Sequence, residues 1–253
     1  MRCVVALCLL LGAGPALADR ACVAWPWSGG DPAPALLGLA EWLEPTLGEA
    51  PALAAALEGL RPALCVARRI DGAEGYLDVA RREIVLDGRA APGLQRGILL
   101  HELRHLDQLA RGFCPANALS LRDNARATYA LEADASAVSL MLAWQRRAAG
   151  DAAAWEALAG WPQQADIAAR FSEEMAAGAG LPEAVAAAFT QWYARPDRRE
   201  SYYLASCSDY LDREDRGHLL RGTAALPGDF LARLCLLPDG RPYPCAEPVV
   251  GRR

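Results

Sequence analysis

The sequence predicts an α+β fold, mainly helical, with a small β-hairpin or sheet just ahead of one long helix. Three observations predict it. Two short β-prone runs, "YLDV" at 76–79 and "EIVL" at 83–86, stand close together between glycine-containing turns. From Leu94 to about Arg111 the apolar residues then recur with helical period, and alanine-rich stretches punctuated by Gly and Pro fill most of the remaining chain.

Taken in order, residues 1–18 read as an export signal. Arg2 gives a charged start, "CVVALCLLLGAG" a short apolar stretch, and "ALA" before Asp19 a small-residue cleavage pattern. The apolar run is shorter than the ~20 residues that span a bilayer, so stable membrane insertion is not expected after cleavage. Residues 19–253 are expected to form one mature domain. After the opening "CVAWPWSGGDPAP", residues 35–60 predict one or two helices interrupted near Pro45 or Pro51, and "ALCVARRI" offers a further strand. Gly75 precedes the two β-prone runs and "DGRAAPG" follows them. The long helix ends at Gly112, and "FCPANALS" connects it to a second, from Asp123 or just before it to Arg147. Segments 151–160, 163–178 and 182–194 continue as helices bounded by Gly150, Pro162 and Pro182, and "DRRESYYLASCSDYLDRED" predicts another.

Composition narrows the function classes. The formal net charge is −5 and every basic side chain is arginine. Those arginines, as in "ARRE" and "DRRE", are interleaved with acids and form no basic stripe, which argues against nucleic acid as a partner. Six cysteines remain beyond the signal: Cys22, Cys65, Cys114, Cys207, Cys235 and Cys245. In an exported chain an even number predicts three disulfides, with 15 pairings open. Cys235 and Cys245 are placed to staple a tail rich in Pro and Gly. No tight Cys-x-x-Cys pair suggests a cysteine metal site.

The chemistry concentrates in "GILLHELRHLDQ", residues 97–108, which holds two of the three histidines in the chain. On a helix, residues four apart fall within about 40 degrees of each other, so His101 and His105 can approach one ion from one face. Leu99, Leu103, Leu106 and Ala110 cluster on nearly the opposite side. Glu102 sits between the two directions, able to reach a water at the ion without being a ligand. Two imidazoles leave a catalytic metal one protein ligand short. Glu132 in "YALEADASAVSLM" is the leading candidate, since it shares a face with Tyr129 and Ser136 beside small residues. Asp134 and His218 are the alternatives. Gln108 is placed for a supporting bond to a ligand, and Tyr129, Arg104, Tyr202 and Tyr203 are candidate donors to an oxyanion.

"HELRH" followed by "LEADASA" resembles the zincin metallopeptidases, which take two histidines from one helix and a glutamate from the next. The second motif is similar to that of minimal metallopeptidase domains of bacteria, Glu-Ala followed by Asp or Asn and small residues. The resemblance covers about residues 70–147. It implies zinc as cofactor, His101, His105 and Glu132 as its ligands, Glu102 as general base, a peptide or protein substrate, and a small sheet ahead of the active-site helix. The chain departs from the thermolysin-like pattern in having Ser136 where an acidic residue supports a histidine, and it lacks the third histidine and glycine turn of metzincins. The expected function is therefore a zinc-dependent hydrolase acting on peptide bonds, in a periplasmic or extracellular location. A metal-dependent amidase acting on the cell envelope and a noncatalytic exported scaffold or inhibitor are the rivals. An open strand edge near the metal would let an extended peptide pair with it.

Overall fold

The computed structural model describes residues 20–28, 34–114 and 117–248. The expected export signal, 1–18, and the start of the mature chain at 19 lie outside these residues. Strands Arg20–Val23 (β1), Ala63–Ala67 (β2), Gly75–Asp78 (β3) and Glu83–Asp87 (β4) form one sheet in the order β1-β2-β4-β3. β1 runs antiparallel to β2, β2 parallel to β4, and β4 antiparallel to β3. The two β-prone runs thus form the antiparallel pair β3–β4, each within a residue of where the pattern put it. "ALCVA" is the further strand. β4 is its parallel neighbour and is buried along most of its length, which is why "EIVLD" reads as an apolar run rather than an alternation. β1 is four residues long and mostly exposed, too short to announce itself by periodicity.

Helices Pro34–Glu49 (α1) and Pro51–Leu60 (α2) are separated at Ala50, and Pro45 lies inside α1. Pro51 marks the break because proline fits the first turn of a helix, where its missing N–H has no partner to lose. Pro92–Ala110 (α3) starts the same way. It ends at Gly112, whose φ of 82° permits the left-handed turn, with Phe113 N–H bonding back to Gln108 C=O at 2.9 Å. Leu121–Ala148 (α4) is capped by Ser120, whose hydroxyl accepts the Asp123 N–H at 3.1 Å. Ala153–Gly160 (α5), Ala165–Ala176 (α6), Leu181–Trp192 (α7) and Pro196–Gly217 (α8) follow, then a short helix, Phe230–Leu234 (α9). α9 falls in a segment for which the sequence suggests no element.

One continuous core joins the sheet, α1–α7 and the tail, from Val23 to Tyr243. α3 and α4 lie at its centre. Gly75, at the head of β3, packs so closely on α3 that a Cβ there would come within 2.5 Å of Ile98 Cγ2. That contact sets β3 against the helix carrying the histidines. Among the described residues no helix is long and apolar enough to cross a membrane.

The cysteines correct one expectation. Cys22 pairs with Cys65, directly opposite it across β1–β2, and Cys235 pairs with Cys245 as the tail composition suggests. Cys207, on α8, carries a free thiol, so pairing of all six does not hold. Cys114 is disulfide-bonded as well, and an even count leads to full pairing only when the fold brings every cysteine to a partner. The surface of a helix does not do this for Cys207.

Candidate metal centre

His101 and His105 project from α3, and Glu132 projects from α4, which packs beside it. The two Nε2 atoms lie 3.0 Å apart. Glu132 sets one carboxylate oxygen 3.2 Å from His105 Nε2 and the other 3.5 Å from His101 Nε2. One ligand atom from each residue falls within 4.8 Å of the others, a grouping that could coordinate a metal ion. His105 and Glu132 are buried and His101 is partly exposed. His105 shows why a cation suits the place. Burial lowers its basicity, but the Glu132 carboxylate outweighs this and raises its pKa to about 9. Burial likewise works against the Glu132 anion, yet the His105 charge and bonds to both histidines hold it down to about 2. Positive charge is favoured at the point between them, whether a proton or a metal supplies it.

The tautomer of His105 follows from its surroundings. Gln108, one turn further along α3, turns its Nε2 toward two acceptors, Leu131 C=O at 2.9 Å and Asp134 at 2.6 Å. Its Oε1 is thereby left facing His105 Nδ1 at 2.8 Å. Nδ1 must carry a proton, so Nε2, which faces Glu132 and His101, is the nitrogen open to either a second proton or a metal. Asp134 does not enter the cluster. Fully buried, it accepts from Gln108, from Arg104 Nε and Nη2 at 2.7 and 2.8 Å, and from the Tyr243 hydroxyl at 2.6 Å. Arg104 also pairs with Asp107 at 2.6 Å and reaches the Leu236 carbonyl at 2.7 Å. It is committed to this buried network. Glu102 is buried beside the histidines; burial pushes its carboxyl above the usual range, against the pull of His105 and His101.

The cluster opens into a cavity of about 800 Å³. Residues 72–75 leading into β3 line one side, α8 lines another, and Ser136, Leu158, Trp161 and Gln164 close an end. Of the tyrosines considered for an oxyanion, Tyr129 donates to the Arg199 carbonyl at 2.7 Å and Tyr203 is 44% exposed. Neither lines the cavity; Tyr202 does. His218 caps the C-terminus of α8, exposed and outside the cluster. Apart from Tyr202, the α8 wall escapes sequence reasoning, as do Trp161, Gln164 and Tyr243, because nothing in their local pattern says which distant helix they meet.

The model of the Putative metallopeptidase family (DUF6782) matches residues 15–245. The chain belongs to this family. The match takes in the sheet, the α3–α4 pair, the α8 wall and the tail as far as Cys245, so membership rests on much more than the histidine motif. No curated protein and no solved structure matches the chain.

Proposed function

We propose that the protein is a zinc-dependent metallopeptidase, with His101, His105 and Glu132 holding the metal and Glu102 acting as general base. The single observation that carries this reading is the convergence of the two imidazoles and the Glu132 carboxylate on one point, with a second carboxylate, Glu102, beside them in the cavity lining. The donor set suits zinc. Tetrahedral ligands about 2.0–2.2 Å from the ion lie roughly 3.3–3.6 Å from one another, near the 3.0 Å between the two Nε2 atoms and the 3.2 and 3.5 Å from them to the two Glu132 oxygens. With Nδ1 bonded to Gln108, Nε2 is the His105 nitrogen that a metal would take in place of a proton.

Bound zinc would supply a Lewis acid for a scissile carbonyl and would acidify a water. Glu102, in the cavity lining beside the cluster, would take a proton from the attacking water at its carboxylate and pass it to the leaving amine. Burial raises the pKa of its carboxyl, the direction that suits a group that both takes and returns a proton. β3 is the outer strand of the sheet, and residues 72–75 reach the cavity. An extended peptide laid along this edge by main-chain bonding supports peptide over other carbonyl substrates. Tyr202 is the candidate donor to the oxyanion. Export to an oxidising compartment accords with the N-terminal pattern and the disulfides.

Metal analysis and cleavage of an unbiased peptide mixture test the reading together. The chain should hold about one zinc, as a single three-ligand site implies. Glu102→Gln should keep that zinc and the fold while losing about 10²–10⁴-fold in turnover. Cleavage by Glu102→Gln at the rate of the unaltered protein would remove Glu102 from the mechanism. A chain that stays metal-free when offered zinc would remove the metalloenzyme reading.

A further inference from the structure

The two helices bearing the metal cluster are tied together from behind by the C-terminal tail. Residues 235–245 form a small hairpin: Leu236 bridges Pro242, Leu237 N–H bonds Arg241 C=O at 2.7 Å, and Tyr243 N–H bonds Cys235 C=O at 3.1 Å. Gly240, with φ of 88°, makes the turn, and the Cys235–Cys245 disulfide closes the base. On one side the hairpin and the end of α9 receive α3. Arg104 donates to Leu236 C=O, and Arg111 donates to the carbonyls of Arg233 and Leu234 at 3.1 and 3.2 Å. On the other side Tyr243 donates to Asp134 of α4.

From Tyr243 the bonds run inward without a gap. The phenol holds one oxygen of Asp134 at 2.6 Å, the other oxygen holds Gln108 Nε2 at 2.6 Å, and Gln108 Oε1 holds His105 Nδ1 at 2.8 Å. All four side chains are buried, the most exposed at 6%. In such a place water cannot substitute for a lost partner, so each bond constrains the orientation of the next. The Asp134 carboxylate has to face both Arg104 and Gln108 for the Gln108 amide to be held the right way round. If the amide turned over, its NH₂ would meet His105 Nδ1, and the neutral ring would have to carry its proton on Nε2, where it could not ligate.

We infer that the disulfide-closed hairpin 235–245 is a positioning element of the metal centre, with Tyr243 as a positioning residue that acts through Asp134 and Gln108 to fix the His105 ring. The inference rests on the reading of His105 as a ligand. It assigns the tail a task in the site, although Tyr243 stands three hydrogen bonds from the imidazole.

Tyr243→Phe removes one hydroxyl and little volume. The first readout is zinc affinity, by competition with a chromophoric chelator. The second is solvent exchange of the His105 Nδ1 proton by NMR, which needs no metal. Direct partners of ligands contribute about 10–100-fold in affinity, so Tyr243→Phe, two residues further out, should weaken zinc binding about 3- to 10-fold and speed the proton exchange. Both unchanged within about twofold would overturn the inference, as would a His105 in the unaltered protein protonated on Nε2 alone. A Cys235→Ser, Cys245→Ser double variant opens the hairpin but keeps the phenol. It should move both readouts in the same direction by less, and it decides the matter if Tyr243→Phe does not fold; no movement in either readout then overturns the inference. If the unaltered protein binds no zinc, the metallopeptidase reading fails, while the exchange comparison still judges the hairpin.

Discussion

The floor of the cavity and its α8 wall are built by opposite rules. The floor is α3 and α4, both buried over most of their surface, and its polar groups are inside: Arg104, Asp107, Gln108 and Asp134 each bond to one another or to the tail. α8 buries only Arg198, Ser206 and Tyr210. It is held to α4 by polar contacts, Asn124 to Ser206 at 2.9 Å and Tyr129 to the Arg199 carbonyl, and to α6 by Arg198 with Asp166. Its outer face shows Tyr203, Leu204 and Leu211, and exposed Leu219 and Leu220 follow it. The floor cannot shift without exposing apolar surface and stranding charges. The wall buries fewer side chains and rests more on hydrogen bonds, with the Tyr202–Trp192 contact beside them, so loosening it exposes less apolar surface. A rigid floor holds a metal geometry, and a looser wall admits a substrate of variable shape.

The largest effect should come from the floor. Arg104→Met leaves Asp134 buried without its cation and Asp107 with Arg111 alone, and removing one partner of a buried ion pair costs about 3–5 kcal/mol. Denaturant unfolding should show a loss of that size, and a loss under about 1 kcal/mol would put the network closer to a surface ion pair. In the wall, Asn124→Ala deprives Ser206 and Arg213 of a partner. A single buried hydrogen bond left unmade should cost about 1–3 kcal/mol, and hydrogen exchange should rise in α8 before α3. Equal acceleration in both helices would erase the contrast.

Acid should find the same weak side. Burial works against the Asp166 anion, but the bond to Arg198 prevails and holds its pKa below the ordinary carboxylate value. Its stabilisation is therefore complete above the unfolded-state pKa and disappears as pH falls through the depressed folded-state value. Exchange in α8 should accelerate in that acid range, and Asp166→Asn should abolish the pH dependence while leaving the loosening. Least of all, Leu211→Gln on the outer face of α8 should change stability by no more than about 0.5 kcal/mol. A larger loss would mean that the exposed leucines are packed against something.

The residues of the candidate site were legible because they obey local rules. His101, Glu102 and His105 lie on one helix, where spacing alone sets their relative direction, and Glu132 stood out on the next helix by its small neighbours. Gln108 was legible for the same reason, three residues from His105. Asp134 shares a helix with Glu132 and could be seen to point elsewhere, but not toward what. Tyr243, 109 positions from Asp134, gave no signal. β3 and β4 carry β-branched and aromatic residues at strand spacing, whereas β1, four residues long, is defined by its antiparallel pairing with β2, which sets Cys22 opposite Cys65.

By itself the sequence determined the longer helices, the order of sheet before histidine helix, and the ligand-type face of that helix, because backbone propensity, caps and a 3.6-residue period act within one or two turns. Tertiary structure alone decided that Glu132 meets the histidines, that α8 walls the cavity, that Cys207 stays unpaired, and that a C-terminal tyrosine bears on the His105 proton. Each of these depends on which distant surfaces meet when the core closes, and apolar burial is non-directional: it demands that the surfaces be covered without stating in the local pattern by which partner.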